Sequence, residues 1–441
     1  MTAVVVGGGV AGLVAARRLL QQGERVVLLE ASDRLGGRVH SVELGGVRLD
    51  SGAESFAVRG GAVRALVDDL GLGADVVDPT GSAWVALADR EVPLPAGGLL
   101  GIPSSPLATD VARVVGTGGS LRAYADRVVP LLKVGRYEHL GPLVRRRMGR
   151  RVLDRLVTPV VQGVYGVHPD DAPVDAIAPG LNAAITNTGA LSAAVLRLRA
   201  AAPPGAAAQG LVGGVHRLVE ALAASLAAAD VRLGTPVLGI HPAPHGPGFQ
   251  VVTAQEDLWA HRVVLAADGG AALDLLADAA HGVSAMPRPE PAVSTAVLLV
   301  ADDGRLDAAP RGTGVLVAPE RTDVQAVAVT HATAKWAWLA GRLPPHRHVL
   351  RVAYRGPSAP DDAVVRRDLA KLLGVPVGGI RARADVVWRD PAPALAAETI
   401  AIRRALDRAA LPDGLTVAGA WTAGTGLASV VASGERAAAR G

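Results

Sequence analysis

The sequence predicts an α/β protein in which a parallel, nucleotide-type sheet is assembled from separated stretches, accompanied by a second, mixed sheet and an inserted helical domain. Three observations carry this. The first thirty or so residues read as strand, glycine turn, helix and strand; residues 95–202 change to helix interrupted by Gly and Pro; and strand–turn–helix texture returns near 209 and at 415–428. A chain of 441 residues holds two or three domains with substantial cores, and 50% hydrophobic content excludes a disordered class.

In the first unit, Val4, Val5 and Val6 lead into Gly7-x-Gly9-x-x-Gly12, an amphipathic segment runs to about residue 22, and a second apolar run, 26–29, closes on Glu30. Strand, helix and strand make one βαβ unit. The three glycines serve different ends, namely the tight turn, close backbone approach to a pyrophosphate, and close packing of helix on strand. Val10, Ala11 and Gly12 open a helix whose unpaired N–H groups and positive dipole end face the phosphates. Glu30 can accept hydrogen bonds from an adenosine ribose and disfavours a 2′-phosphate. A structural turn is the competing reading, but the flanking strand and helix favour a Rossmann-type dinucleotide site.

Composition narrows the classes further. With no cysteine, disulfides, thiolate zinc sites, cysteine redox relays and thioether attachment of a flavin are excluded. Net charge is only +4, with three lysines (Lys133, Lys335, Lys371) among 45 basic residues, so nucleic-acid binding has little support. No apolar run reaches the roughly 18 residues of a membrane span, and the N-terminal glycines lack the basic leader of a signal peptide. A cytoplasmic protein is expected.

Along the chain, 42–49 reads as a hairpin, 62–70 as a helix stopped by Gly71, and 83–94 as a strand pair turning at Asp89 and Arg90 that begins a second sheet. Within the helical region, 143–155 interleaves arginines with apolar residues. A solvated basic face is one reading; a face meeting anionic lipid or guiding an anionic substrate is the other. From Gly210 to Gly214 a glycine turn leads into a helix through 229. Segments 231–233, 235–240, 249–253 and 262–266 read as strands of the nucleotide domain. Strands at 294–300, 314–318, 324–330 and 349–354, with a helix at 361–373, return to the second sheet. The strand 415–421 then leads through a turn to Gly426, Leu427 and Ala428, which open a last helix able to aim a second dipole at the cofactor.

Arg34-Leu35-Gly36-Gly37-Arg38, directly after the Glu30 strand, resembles the FAD signature of the amine oxidase and phytoene desaturase superfamily, where this segment lies along the flavin's phosphates. The small residues Gly52, Ala53, Glu54 and Ser55 would let backbone approach a flat ring. Together with 100–104, 161–166, 210–216, Lys335-Trp336 and Gly419 through Gly426, they occur in the order seen in the FAD-dependent protoporphyrinogen/coproporphyrinogen oxidase family. The resemblance spans the chain and is greatest to the bacterial branch acting on coproporphyrinogen III.

The resemblance implies an amine-oxidase-like flavoprotein architecture: an FAD-binding domain from 1–80, 205–272 and 385–441, a mixed-sheet substrate domain from 81–94 and 273–384, and a helical domain from 95–204 that membrane-bound relatives use at the bilayer. It implies non-covalent FAD, held also by Ala31, Val237 and Trp421, and six-electron oxidation of a porphyrinogen with O2 as acceptor and hydrogen peroxide as product. Arg59 is implied as a propionate contact and Tyr165 as a substrate neighbour. Lys335 is either a lysine holding water near the flavin or the anchor of a strand end. The histidines 168, 216 and 331 lack metal-ligand spacing, and no metal is expected. Peripheral membrane contact, and transient contact with the next haem-pathway enzyme, are left open. So are protoporphyrinogen IX as substrate, an amine oxidase or a carotenoid desaturase on the same scaffold, and a non-catalytic flavin or porphyrin carrier. An amine oxidase would want an aromatic cage, which four tyrosines and two phenylalanines make hard to build.

Overall fold

The structure, a computed structural model, describes residues 2–58, 60–128, 136–201, 208–244, 246–277, 281–409 and 411–440. Apolar runs buried on both faces suit a parallel sheet, and such runs form a five-stranded one in the order Asp230–Arg232, Arg25–Leu29, Thr2–Val6, Arg262–Leu265, Leu415–Val417. The sheet therefore joins three stretches far apart in sequence. Its first helix, Val10–Gln21, and its last, Leu427–Ala439, lie together on one face. A Cβ on Gly434 would run into the Ala11 carbonyl oxygen, so the two helices meet backbone to backbone.

The segments 235–240 and 249–253, read as strands of the nucleotide domain, pair outside this sheet. They form, with Asp257–Ala260, a separate antiparallel meander of Val237–Pro242 and Phe249–Thr253. Short turns connect them, which antiparallel pairing accepts and parallel pairing does not. The helix expected to reach 229 is His216–Ala224, its continuation tightening into turns whose amides bond three residues back, Leu226 to Ala223 and Ala229 to Leu226.

The second sheet has seven strands in the order Ile380–Asp390, Ala292–Asp302, Arg347–Arg355, Ala328–His331, Gly314–Val317, Trp84–Ala86, Glu91–Pro93. It is mixed because Trp84–Ala86 runs parallel to Gly314–Val317 while the other pairings are antiparallel. Its edge strand Ile380–Asp390 crosses position 384, where the sequence reading changes domain, and ends against the first sheet's loops.

Five helices, Thr109–Tyr124, Leu140–Met148, Thr158–Tyr165, Leu181–Thr188 and Leu191–Ala200, share a third core. The arginine-rich run is not one solvated helix face. Gly149, at φ +91°, breaks it, and Arg147 is 1% exposed, with Nε 2.5 Å from Asp126 Oδ1. The same guanidinium donates to the carbonyls of Asp126 and Gly189, while Asp126 Oδ2 accepts from the Ser192 amide at 2.9 Å. Arg145 and Arg150 pair at the surface with Asp170 and Asp154. Among the described residues no helix is long and apolar enough to cross a membrane.

Two stability consequences follow from buried charge. Replacing one member of a buried, hydrogen-bonded ion pair strands the other, so Arg147→Met should lower unfolding free energy by about 3–5 kcal/mol in urea titrations; a loss under about 1 kcal/mol would refute the strut. His331, 1% exposed and 3.0 Å from His348, has its pKa pushed down from 6.5 to about 4 by burial and by the neighbouring His348. Between those values the unfolded chain binds a proton the folded one does not, so stability falls as pH drops from 6.5 towards 4, by at most roughly 3 kcal/mol from this group. The stability of wild type relative to His331→Asn should therefore fall as pH drops from 7 to 4.5, and a pH-independent difference would refute the shift.

Candidate FAD site

The glycine turn sits at the carboxyl end of Thr2–Val6, where parallel sheets place nucleotide ligands. Gly7 has φ +107°, and a Cβ there would lie 2.7 Å from the Ala266 carbonyl at the end of the neighbouring strand. A Cβ on Gly12 would strike the Gly7 carbonyl oxygen, whereas one on Gly9 would meet nothing within 4 Å. The first two close approaches are internal to the fold. The space beside Gly9 is a cradle kept free of side chains. No side chain caps Val10–Gln21 and no acidic residue occupies its first turn, so the amides of Val10, Ala11 and Gly12 are left for an anion.

Glu30, closing Arg25–Leu29, accepts from the Gly8 amide at 2.6 Å through Oε2 and from the Ser32 amide and hydroxyl at 2.8 and 2.7 Å through Oε1. The carboxylate is thus fixed beside the glycine turn. Ala31 is exposed next to it, and the Thr235 amide donates to the Glu30 carbonyl at 2.8 Å, bringing Val237 to the same end. The second signature lies on the first: Gly36 donates to the Gly8 carbonyl at 2.8 Å, Gly9 and Gly36 form a parallel bridge, and Arg34 Nη1 donates to the Gly37 carbonyl at 3.2 Å. Arg38 turns away to Asp390, 2.8 Å apart, at the end of the mixed sheet's edge strand.

From Arg38 the cradle passes to the loop at 51–55. The Ala53 amide donates to the Arg38 carbonyl at 3.4 Å, and a Cβ on Gly52 would collide with that same carbonyl. Ser55 is half-buried beside it. Glu54 Oε1 accepts from Lys335 Nζ at 2.5 Å. Burial alone would raise the Glu54 pKa, but the Lys335 and Arg351 charges hold it below its ordinary value. Gly426 begins the last helix with neither a capping side chain nor a first-turn acid, and its Cβ would also meet nothing within 4 Å, so Leu427 and Ala428 present a second uncapped helix start. Trp421 is 3% exposed, and its indole N–H, buried, has no partner among the described residues. Two bare helix starts, open space at Gly9 and Gly426, and a fixed ribose acceptor fit an extended dinucleotide.

The other expected residues fall elsewhere. Arg59 lies outside the described residues. Tyr165 ends Thr158–Tyr165, half-buried, on the helix that leans on Gly314–Val317, where a Cβ at Gly163 would lie 2.8 Å from Leu316. The histidines are not drawn into a metal site: among the described residues no cluster of three His, Cys, Asp or Glu could hold an ion. His216 Nδ1 instead lies 2.7 Å from Asp50 Oδ1, and Asp50 also accepts from the Val215 and His216 amides at 2.8 and 3.0 Å. Sequence reasoning missed Asp50, Arg351, Trp388 and Asp390. Asp50 adjoins the small-residue loop and could have been flagged; the others carry no local signal.

A family model described as flavin-containing amine oxidoreductase matches residues 10–440. The chain belongs to that family. Its members are flavoproteins, and this chain is accordingly an FAD-dependent oxidase. It is 30% identical to a coproporphyrinogen III oxidase of Mycobacterium tuberculosis, over 98% of this chain and 95% of that one. It is 28% identical to a coproporphyrinogen III oxidase of Bacillus subtilis, over 82% and 78%. An Exiguobacterium structure described as a protoporphyrinogen oxidase shares the fold, with TM-score 0.80 and 24% identity over 99% of this chain and 98% of that one.

The cradle yields a sharp test. Gly9→Ala should still fold, at a cost of about 1 kcal/mol because alanine is a poorer N-cap than glycine, yet bind FAD at least about tenfold more weakly in fluorescence titration of the apoprotein. Gly12→Ala should lose stability as well. Unchanged FAD affinity in Gly9→Ala would show that the open space is not the pyrophosphate site.

Proposed function

We propose that this protein oxidises coproporphyrinogen III to coproporphyrin III in haem biosynthesis, with O2 as the final acceptor. The observation that carries the reading is nearly full-length similarity to relatives named coproporphyrinogen III oxidase, on a chain whose glycine turn leaves open space at Gly9. Bound FAD supplies the two-electron acceptor, and three rounds on the macrocycle, each releasing two electrons and two protons and reducing one O2 to hydrogen peroxide, give the porphyrin.

The chain's own residues bind and orient. Val10, Ala11 and Gly12 would hold the pyrophosphate with their amides, Glu30 the adenosine ribose, and Ala31 and Val237 the adenine end. Arg34, Gly36, Gly37 and Arg38 would keep the glycine turn in shape from behind, Gly52, Ala53, Glu54 and Ser55 would back the flavin ring, and Trp421 with Gly426, Leu427 and Ala428 would close its far side. The mixed sheet and the helix Thr158–Tyr165 would wall the substrate, with Tyr165 and Arg59 meeting it and Arg59 countering a propionate. Because Lys335 is committed to Glu54, no side chain is required as a general base; orientation and exclusion of water are what the protein adds.

Anaerobic mixing of FAD-loaded protein with coproporphyrinogen III, and separately with protoporphyrinogen IX, should bleach the flavin quickly only in the first case, and air should then release coproporphyrin fluorescence and peroxide. Faster bleaching by protoporphyrinogen IX would reverse the substrate order. Bleaching by neither would remove the porphyrinogen reading.

A further inference from the structure

The loop at 51–55 is gripped from the mixed sheet by three side chains on three different elements. Trp388 Nε1, on Ile380–Asp390, donates to the Ser51 carbonyl at 3.1 Å. Arg351 Nη1, on Arg347–Arg355, donates to the Gly52 carbonyl at 2.6 Å. Lys335 Nζ, ending the short helix Ala332–Lys335, donates to Glu54 Oε1 at 2.5 Å. On its other side the loop rests on Arg38, one residue from Gly37, whose Cβ would lie 3.3 Å from Gly9 Cα in the cradle. The loop is thus the seam between cofactor cradle and mixed sheet. The Lys335 and Glu54 side chains are 20% and 21% exposed, so solvent screens them little.

We infer that the ion pair of Glu54 and Lys335, with Arg351 as a second arm, forms a clamp through which the mixed sheet sets the position of the 51–55 loop against the bound flavin, and with it how readily that flavin accepts electrons. Lys335 is then a positioning residue that acts through Glu54. The other charged groups facing the seam are already engaged: Asp50 by the Val215 and His216 amides and the His216 ring, Arg38 by Asp390. Removing the Lys335 charge leaves Glu54 facing Arg351 alone and makes the seam one unit more negative. Removing the Glu54 charge does the reverse. Reduction adds negative charge to a flavin, so the two changes act on it with opposite sign.

The inference rests on FAD binding and not on the porphyrinogen reading, and its test uses no porphyrinogen. Midpoint potentials of bound FAD, measured by anaerobic equilibration with a reference dye, should fall in Lys335→Met, rise in Glu54→Gln, and return to the wild-type value in the double variant; Lys335→Arg should stay near wild type. Shifts of the same sign in both single variants, or none, would overturn the clamp, because a purely packing role gives no sign reversal. If a single variant purifies without flavin, the double variant decides. Restored FAD content supports the charge coupling, and a double variant that is equally empty refutes it.

Discussion

Everything at the cofactor end depends on backbone meeting backbone where no side chain can intervene. The Gly12 α-carbon faces the Gly7 carbonyl oxygen, and Gly434 of the last helix faces the Ala11 carbonyl one turn away. The first contact seats the helix start on its strand; the second lays the chain's last helix along the first. Because both uncapped helix starts belong to this pair, the geometry that offers amides at Val10 also fixes Gly426. The close approach therefore sets an angle as well as a distance. A methyl group at either glycine would move one dipole relative to the other, and the two helix starts would no longer face one ligand in the same geometry.

The mixed sheet meets the cofactor end through an apolar patch, where Leu44 and Leu49 pack with Leu298, Val300 and Val349, and through polar contacts that converge on a few residues. Arg38 with Asp390, Trp388 with Ser51, Arg351 with Gly52 and Lys335 with Glu54 all fall within or beside one loop. The charged and hydrogen-bonded pairs fix register, because their geometry is directional, whereas the apolar patch alone would tolerate sliding. Directional contacts suit a joint that must hold a substrate wall at a constant height above a planar ring.

The cofactor half of the site was legible because its chemistry is local. Gly7, Gly9, Gly12 and Glu30 lie in one βαβ unit whose spacing says which backbone must be bare, and Gly36 and Gly37, read by resemblance, follow at once. Which partners the strands at 237 and 249 take was not legible, for the complementary reason: alternation marks a strand but not the sheet it joins, and here short turns drew them into a meander. The arginine run misled in a similar way. Helical spacing put Arg147 among solvated neighbours, while Asp126, 21 residues earlier, took it into the core. Asp390 and Arg351 meet Arg38 and Gly52 across 352 and 299 residues, distances over which periodicity carries nothing.

That division has a folding consequence. The parallel sheet needs Leu415–Val417 beside Arg262–Leu265, and the first helix needs Leu427–Ala439 against it, so the cradle cannot be completed until the end of the chain has been made. The mixed sheet is in the same position, since Trp84–Ala86 waits for Gly314–Val317. Contacts of such sequence separation impose a large loop-closure entropy before any burial repays it. The helical domain, whose core is drawn mostly from one continuous stretch and pinned by Arg147 and Asp126, depends less on either sheet, taking, among its described buried residues, only Val85, Leu87, Ala318 and Leu395 from outside that stretch. It is the part of the chain with the least loop closure ahead of it, because most of its core residues are near one another in sequence.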